Sequence, residues 1–222
     1  VISKTVANAL VKNSEYSPVV HGMVNVCTLF IKRSFSLLRP SGILVEIFPL
    51  SFACDLSYSQ LRKYVLTRET ILRIEAFPER DNPKRRVFES AKMSVCILVG
   101  RHASCRGDHA FDLRIHSGPA VDPMSPGATF TPSEMMLVDS NASIPLVTQE
   151  QFEELRTICS HSQRVSEIGK CYTGEVDLTL CRKFIKADQR LSVLHKGAII
   201  DRYRIRDSMS QGDIEYLNAK AY

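Results

Sequence analysis

The side chains with the most evident chemistry are cations. Between Arg182 and Arg206 stand Arg182, Lys183, Lys186, Arg190, Lys196, Arg202, Arg204 and Arg206, opposed within that window only by Asp188 and Asp201. The whole chain carries a formal charge of +5, so its basic excess is concentrated in this one segment. A local surplus of that kind suits a polyanionic partner, with a solvated surface as the alternative. A shorter cluster, Lys84, Arg85, Arg86 and Lys92, surrounds the isolated aromatic Phe88 and is diluted by Glu79, Asp81 and Glu89. Cations in such a loop can hold phosphates and fix register without reading sequence, and here too a solvated loop competes.

Catalytic arrangements are missing. The ten Gly are dispersed, so there is no GxGxxG turn and no P-loop to cradle a nucleotide. No GxSxG elbow and no HExxH pair occurs. The six His, at 21, 102, 109, 116, 161 and 195, stand alone and read as surface or loop residues. Glu153 and Glu154 are neighbours in an expected helix and point apart. Seven Cys form no CxxC pair, and the spacings Cys96 to Cys105 and Cys171 to Cys181 do not match a zinc ribbon. Free thiols in a reducing cytoplasm are expected. No apolar run approaches the ~20 residues of a bilayer span, and residues 1–10 lack the apolar centre of a secretory leader. The opening Val, with little ahead of the helical pattern from Gly22, suggests a piece of a longer protein.

The elements that must position the cations read as α/β. Apolar residues at Met23, Val26, Cys27, Phe30, Ile31, Leu37 and Leu38 predict a helix over 22–38, with Lys32, Arg33 and Arg39 toward its C-terminal end. A Pro40-Ser41-Gly42 turn follows. The near-continuous apolar run Ile43 to Phe48 then predicts a parallel strand buried on both faces, closed by Pro49. Glu46 is unusual there: it pairs with a base or lies at a wetter edge. Phe52 is placed either in helix-entry packing or near a pocket. Asp55 is an N-cap candidate for a helix over 56–66 striped by Leu61, Tyr64 and Val65. Strands are expected at 71–77 and 92–99, with a polar loop over 78–91, and a short one at 111–116. Phe77, at a strand end, reads as core. Residues 117–133, rich in Gly and Pro, read as an irregular connection. Met135 to Val138 reads as a strand, and Thr148 with Gln151 as a capping box opening a helix to about Cys159.

Read in order, Leu37-Leu38-Arg39-Pro40-Ser41-Gly42-Ile43-Leu44-Val45-Glu46-Ile47-Phe48-Pro49, then Leu61-Arg62, then Val87-Phe88 leading to Met93 to Val99, the chain resembles the C-terminal half of the catalytic domain of amino-group DNA methyltransferases. The likeness is to TaqI-like adenine-N6 enzymes and type IIG restriction-modification proteins. Thr173-Gly174-Glu175, followed by His195-Lys196-Gly197-Ala198-Ile199-Ile200-Asp201-Arg202-Tyr203, is similar to the start of that family's target-recognition domain. The resemblance covers about residues 23–206. The family's Gly-rich cofactor motif and its Asn/Asp-Pro-Pro-aromatic catalytic motif are absent; Asn82-Pro83 and Asp122-Pro123 do not supply the latter.

The resemblance implies a class I, Rossmann-like methyltransferase sheet half over residues 1–116, a connection over 117–140, and part of a mixed α+β target-recognition domain over 141–222. It implies a site-specific adenine-N6 DNA methyltransferase of a restriction-modification system. S-adenosyl-L-methionine would be bound mainly by an N-terminal half outside this chain, with double-stranded DNA as substrate and no membrane partner. No catalytic residue lies in the chain itself. Phe88 corresponds to a side chain that stacks on the extruded base, although a loop Phe can also simply plug a domain edge. Lys84, Arg85, Arg86, Lys92, Lys196, Arg202, Arg204 and Arg206 are the expected DNA contacts. A non-catalytic DNA-binding or specificity module is the alternative, and an RNA or small-molecule methyltransferase a more distant one.

Overall fold

The computed structural model describes residues 3–20, 25–102, 108–161, 163–170 and 176–222. The chain divides into two compact units, Val1–Gln163 and Arg164–Tyr222. The division thus falls after the stretch 117–140 read from sequence as a connection.

The first unit begins with α1 (Lys4–Lys12) and α2 (Val26–Leu37), the latter capped by the Asn25 side chain, which accepts from the Cys27 amide at 3.0 Å. Its buried stripe is Thr28, Ile31, Lys32 and Phe35. Phe30 and Leu37, expected inside, are exposed, and the Lys32 ammonium lies 5.0 Å from the Tyr64 ring. Val26 to Leu37 contains no base in its last turn. Gly22 and Met23 lie outside the described residues. The chain then turns through Ser41 (φ 63°) and Gly42, where a Cβ would stand 2.9 Å from the Arg39 carbonyl. That close approach explains the Gly.

Strands β1 (Ile43–Pro49), β2 (Thr70–Phe77), β3 (Val95–Arg101), β4 (Phe111–Ile115) and β5 (Gly127–Phe130) form one sheet in the order β1-β3-β2-β4-β5. Only the β2–β4 ladder is parallel. β3 runs antiparallel between β1 and β2, so those two are parallel to each other without touching. This corrects the expectation for β1. It is an edge strand among the described residues, its one ladder is antiparallel, and its burial alternates. Leu44 and Phe48 enter the core, whereas Ile43, Val45 and Ile47 are 48%, 65% and 42% exposed. The pleat puts these three on one face with Val99 and Ile97 of β3, the register partners of Val45 and Ile47.

The other face carries the core. Ile31 and Phe35 of α2, Leu61 and Val65 of α3 (Ser59–Arg68), Met135 and Val138 of α4 (Pro132–Val138) and Phe152 of α5 (Gln149–His161) join Ile74, Leu98, Phe111, Leu113 and Phe130 from the sheet. Gly100 makes room for Phe35, whose ring would be 2.8 Å from a Cβ there. Phe52 and Phe77 are buried.

Three further expectations change. Asp55 makes no side-chain cap; a 3-10 turn, Leu56–Tyr58, precedes α3. Residues 135–138 are helical, because Thr131 and Glu134 form a capping box and Pro132 occupies the first turn. β5 lies inside the expected irregular stretch, where the close approach of β4 admits Gly127 alone: a Cβ would be 1.8 Å from the Leu113 carbonyl oxygen. At α5 the Thr148–Gln151 box forms as read, with reciprocal bonds of 3.0 and 3.4 Å.

The second unit contains α6 (Val165–Ile168), a three-stranded antiparallel sheet of β6 (Ile185–Lys186), β10 (Tyr216–Leu217) and β7 (Ser192–Val193), and a hairpin of β8 (Ile200–Asp201) and β9 (Arg204–Ile205). Ile185 and Ile199 are its buried apolar anchors. Among the described residues no helix is long and apolar enough to cross a membrane.

Candidate nucleic-acid interface

β1, β2 and β4 all run the same way, so the segments after Pro49, Phe77 and Ile115 leave from one edge of the sheet. Loops at the carboxyl ends of parallel strands are where α/β sheets build ligand crevices. Arg62 builds the first of these loops. Its side chain is fully buried and donates to four carbonyls: Phe52 and Asp55 at 2.8 Å, Ala142 and Asn141 at 3.0 Å. Burial pulls its pKa down, and the Asp139 carboxylate opposes that. The Leu-Arg pair of the sequence motif is therefore structural here: one guanidinium ties the loop after β1 to the turn after α4.

The second loop, 78–94, is held by its own polar groups. Glu79 accepts from the amides of Asp81 and Asn82, which holds its carboxyl below the usual carboxylate range. Three of the four predicted phosphate-binding cations are spent locally. Arg85 donates twice to the Ser117 carbonyl, at 2.8 and 3.2 Å, joining this loop to the one after β4. Arg86 donates to the Glu89 carbonyl and to the Arg80 carbonyl at 3.1 Å. Lys92 pairs with Asp81 at 2.9 Å. Lys84 alone keeps an ammonium without a partner among the described residues. Phe88 is 41% exposed. A groove between the two loops is lined by Glu79, Arg80, Asp81, Arg85, Ser94 and His116, and Phe88 is not part of its wall.

His116, read as a loop residue, is the functional-type group that sequence reasoning missed. It is buried and bonds Glu75 through Nε2 at 2.7 Å and the Ser125 hydroxyl through Nδ1 at 2.8 Å. The Asp122 amide also donates to Nδ1, at 3.2 Å, so that nitrogen is an acceptor and Nε2 carries the proton to Glu75. Phe77 stacks on the imidazole at 4.7 Å. Arg73 lies between Glu75 and Asp112, at 3.6 and 3.7 Å. The signal was Glu75, a carboxylate between the apolar residues Ile74 and Ala76, two residues before an aromatic.

In the second unit the basic window meets carboxylates that a sequence window does not bring together. Glu215 takes both Arg182, at 2.6 Å, and Lys196. Asp201 takes Arg204 at 3.3 Å and Arg206 at 3.2 Å. Arg202 has no carboxylate partner among the described residues; its guanidinium lies 5.5 Å from the Tyr203 ring. Thr173, Gly174 and Glu175 lie outside the described residues, as do Cys105 and Cys171. Among the described residues no three His, Cys, Asp or Glu side chains are grouped to hold a metal ion.

No family model matches the chain, and no curated protein matches it. Among solved structures it is similar to the type IIG restriction endonuclease BpuSI, with 13% identity and a TM-score of 0.42 over 71% of this chain and 19% of that one. It is similar to a type I restriction-modification system methyltransferase subunit from Streptococcus thermophilus, with 10% identity and a TM-score of 0.40 over 69% and 28% of the two chains. It is also similar to the type I restriction enzyme EcoKI M protein, with 13% identity and a TM-score of 0.36 over 63% and 26%. The chain thus spans between about a fifth and just over a quarter of the length of these proteins.

Proposed function

We propose that this chain is part of a site-specific DNA adenine-N6 methyltransferase of a restriction-modification system, in which it supplies one wall of the target-base pocket and a DNA-binding surface. The observation that carries the reading is the coincidence of the motif string with the elements. Leu37-Leu38-Arg39-Pro40-Ser41-Gly42 ends α2 and makes the turn, and Ile43 to Pro49 is β1 in full. Leu61-Arg62 lies in α3, Val87-Phe88 lies in the loop between β2 and β3, and β3 closes the series. From Leu37 to Val99 the pieces follow the order of elements that the resemblance implies, which supports the reading; Thr173-Gly174-Glu175 lies outside the described residues.

The groove at the carboxyl edge does not fit S-adenosyl-L-methionine. Its wall alternates Glu79, Arg80, Asp81 and Arg85, and no Gly-rich turn follows β1. The cofactor belongs, on this reading, to an N-terminal half that docks on the exposed side of β1, where Ile43, Val45 and Ile47 await cover. What remains to this chain is binding. An extruded base loses its stacking partners; half-exposed Phe88 offers a replacement face, and Lys84 a phosphate contact beside it.

The test is methyl transfer from labelled S-adenosyl-L-methionine into duplex DNA by the protein that carries the upstream sequence, followed by nucleoside analysis. N6-methyladenine is expected. DNA binding without any methylation would instead assign a non-catalytic specificity module. The 222-residue chain alone should show no micromolar binding of S-adenosyl-L-methionine by calorimetry; such binding would place the cofactor site here and overturn the division of labour.

A further inference from the structure

The most exposed aromatic of the described residues sits at the tip of the β8–β9 hairpin. Tyr203 is 94% exposed, and with Arg202 it forms a two-residue turn between the paired residues Asp201 and Arg204. Its backbone is left-handed, with φ at 62°. Gly or Asn is the usual occupant of such a turn position, and a bulky aromatic there is an outlier that invites a functional explanation. The Arg202 guanidinium stands 5.5 Å from the ring. At that exposure the ring fills no core and covers no apolar surface.

The hairpin is nonetheless firmly built. The Arg206 amide donates to the Ile199 carbonyl at 2.8 Å, and Ile199 is buried. Asp201 accepts from the Arg202 amide at 2.8 Å and holds Arg204 and Arg206. The result is a rigid stalk that presents one flat ring and one uncompensated cation. A flat ring with a cation at its face matches a nucleobase with its phosphate nearby, since base–aromatic stacking tolerates any base and Arg adds to it.

We infer that Tyr203 is a base-stacking probe: it inserts against a nucleobase of bound DNA while Arg202 holds the adjoining phosphate. The inference rests on the DNA-binding reading above and extends it to a residue with a distinct role. A stacked ring leaves a signature different from that of a phosphate-binding cation. Removing the ring lowers affinity at every salt concentration alike, whereas removing the cation lowers the salt slope.

The experiment is DNA binding by the full chain, followed by anisotropy across a salt series, with 2-aminopurine placed at successive positions of the duplex. Wild-type protein should perturb 2-aminopurine fluorescence at one or two positions. Tyr203→Ala should bind roughly 5- to 150-fold more weakly, as expected for losing one stacked base. Its salt slope should be unchanged and the fluorescence signal lost, while Tyr203→Trp restores both. Tyr203→Gly, which relaxes the backbone, should match Tyr203→Ala in binding and exceed it in melting temperature. If wild-type chain binds DNA and Tyr203→Ala binds equally well with the same fluorescence, the stacking role is overturned and the DNA-binding reading stands. If wild-type chain does not bind DNA at all, both fall.

Discussion

Arg62 shows how little the type of a residue says about its task when its surroundings are hidden. From the sequence it is an Arg in an expected helix, the second half of a Leu61-Arg62 pair. In the fold it is the largest fully buried side chain among the described residues, and it satisfies four main-chain carbonyls. Replacing it with Met leaves those acceptors dry, at about 1–3 kcal/mol for each one that stays unpaired. Arg62→Met should therefore cost at least about 3 kcal/mol, and, at roughly 2–4 °C per kcal/mol for a chain of this size, lower the melting temperature by about 6 °C or more. Arg62→Lys should recover little, because a single ammonium cannot reach four carbonyls in a planar fork. A thermal scan in which Arg62→Met melts like wild type would show that this guanidinium is no staple. Phe88 lies at the other extreme. Being half exposed, it should tolerate truncation with little change in melting temperature. On the proposed function, Phe88→Ala in the complete protein should slow methylation of duplex DNA roughly 5- to 150-fold, since one stacked face contributes about 1–3 kcal/mol. Normal turnover by that variant, or a loss accounted for by unfolding, returns Phe88 to the role of an edge plug.

At the scale of elements, the layout was legible where polar punctuation and apolar period agreed. The turn before β1, the extent of β2 and the capping box of α5 are of this kind. The signals failed where two of them conflicted. Met135 to Val138 is a short apolar run that suits a strand, but Thr131, Pro132 and Glu134 just before it start a helix, and the cap decided. β1 is apolar apart from Glu46, yet its apolar residues are buried only alternately, because hydropathy reports what a strand can bury and not which faces have neighbours. Glu46 is where β1 and α2 disagree most. It lies on the core side of the strand, its Oε2 has no hydrogen-bond partner, and burial raises its pKa while Ser34 pulls the other way. Among the described residues no base approaches it to form the ion pair that one reading of the sequence allowed. Next to it the Cys27 thiol is pushed up to about 11 and the Tyr58 hydroxyl to about 12, both chiefly by burial. A carboxyl whose folded pKa is raised favours the fold when protonated. Its contribution is complete below the unfolded carboxylate pKa of about 4.3 and is lost as pH rises through the folded value. Glu46→Gln should thus raise the melting temperature at pH 7–8 and leave it nearly unchanged at pH 4. An equal gain at both pH values would show that ionisation of Glu46 is not the cause.

For the molecule as a whole, charge counted along the sequence overstates the charge available to a partner. The basic window is partly neutralised by Asp201 and by Glu215, which lies outside it in sequence. No linear window reveals that closure, which depends on β10 returning beside β6 and β7. On the proposed function, DNA binding should consequently respond unevenly to loss of these cations. Each phosphate left without its cation lowers the slope of log affinity against log salt by about 0.9. Arg202→Ala should show close to that full decrement, and Arg204→Ala clearly less, because Asp201 already engages its guanidinium. Equal decrements from the two would mean that DNA displaces Asp201 and frees both cations.

The insertion of β3 between β1 and β2 also imposes an order of events on synthesis. β1 and β2 are complete by residue 77, yet neither can pair with the other, and the strand that joins them ends only at Arg101. About fifty residues separate the end of β1 from the end of its partner. At translation rates of about 5–20 residues per second, β1 waits on the order of 3–10 s on the ribosome with both edges open. During that interval an apolar strand bearing Ile43, Val45 and Ile47 is an available template for a neighbouring nascent chain. Slower decoding of codons 78–101 should lengthen the wait and lower the soluble yield, and slowing the same number of codons after residue 130 should not.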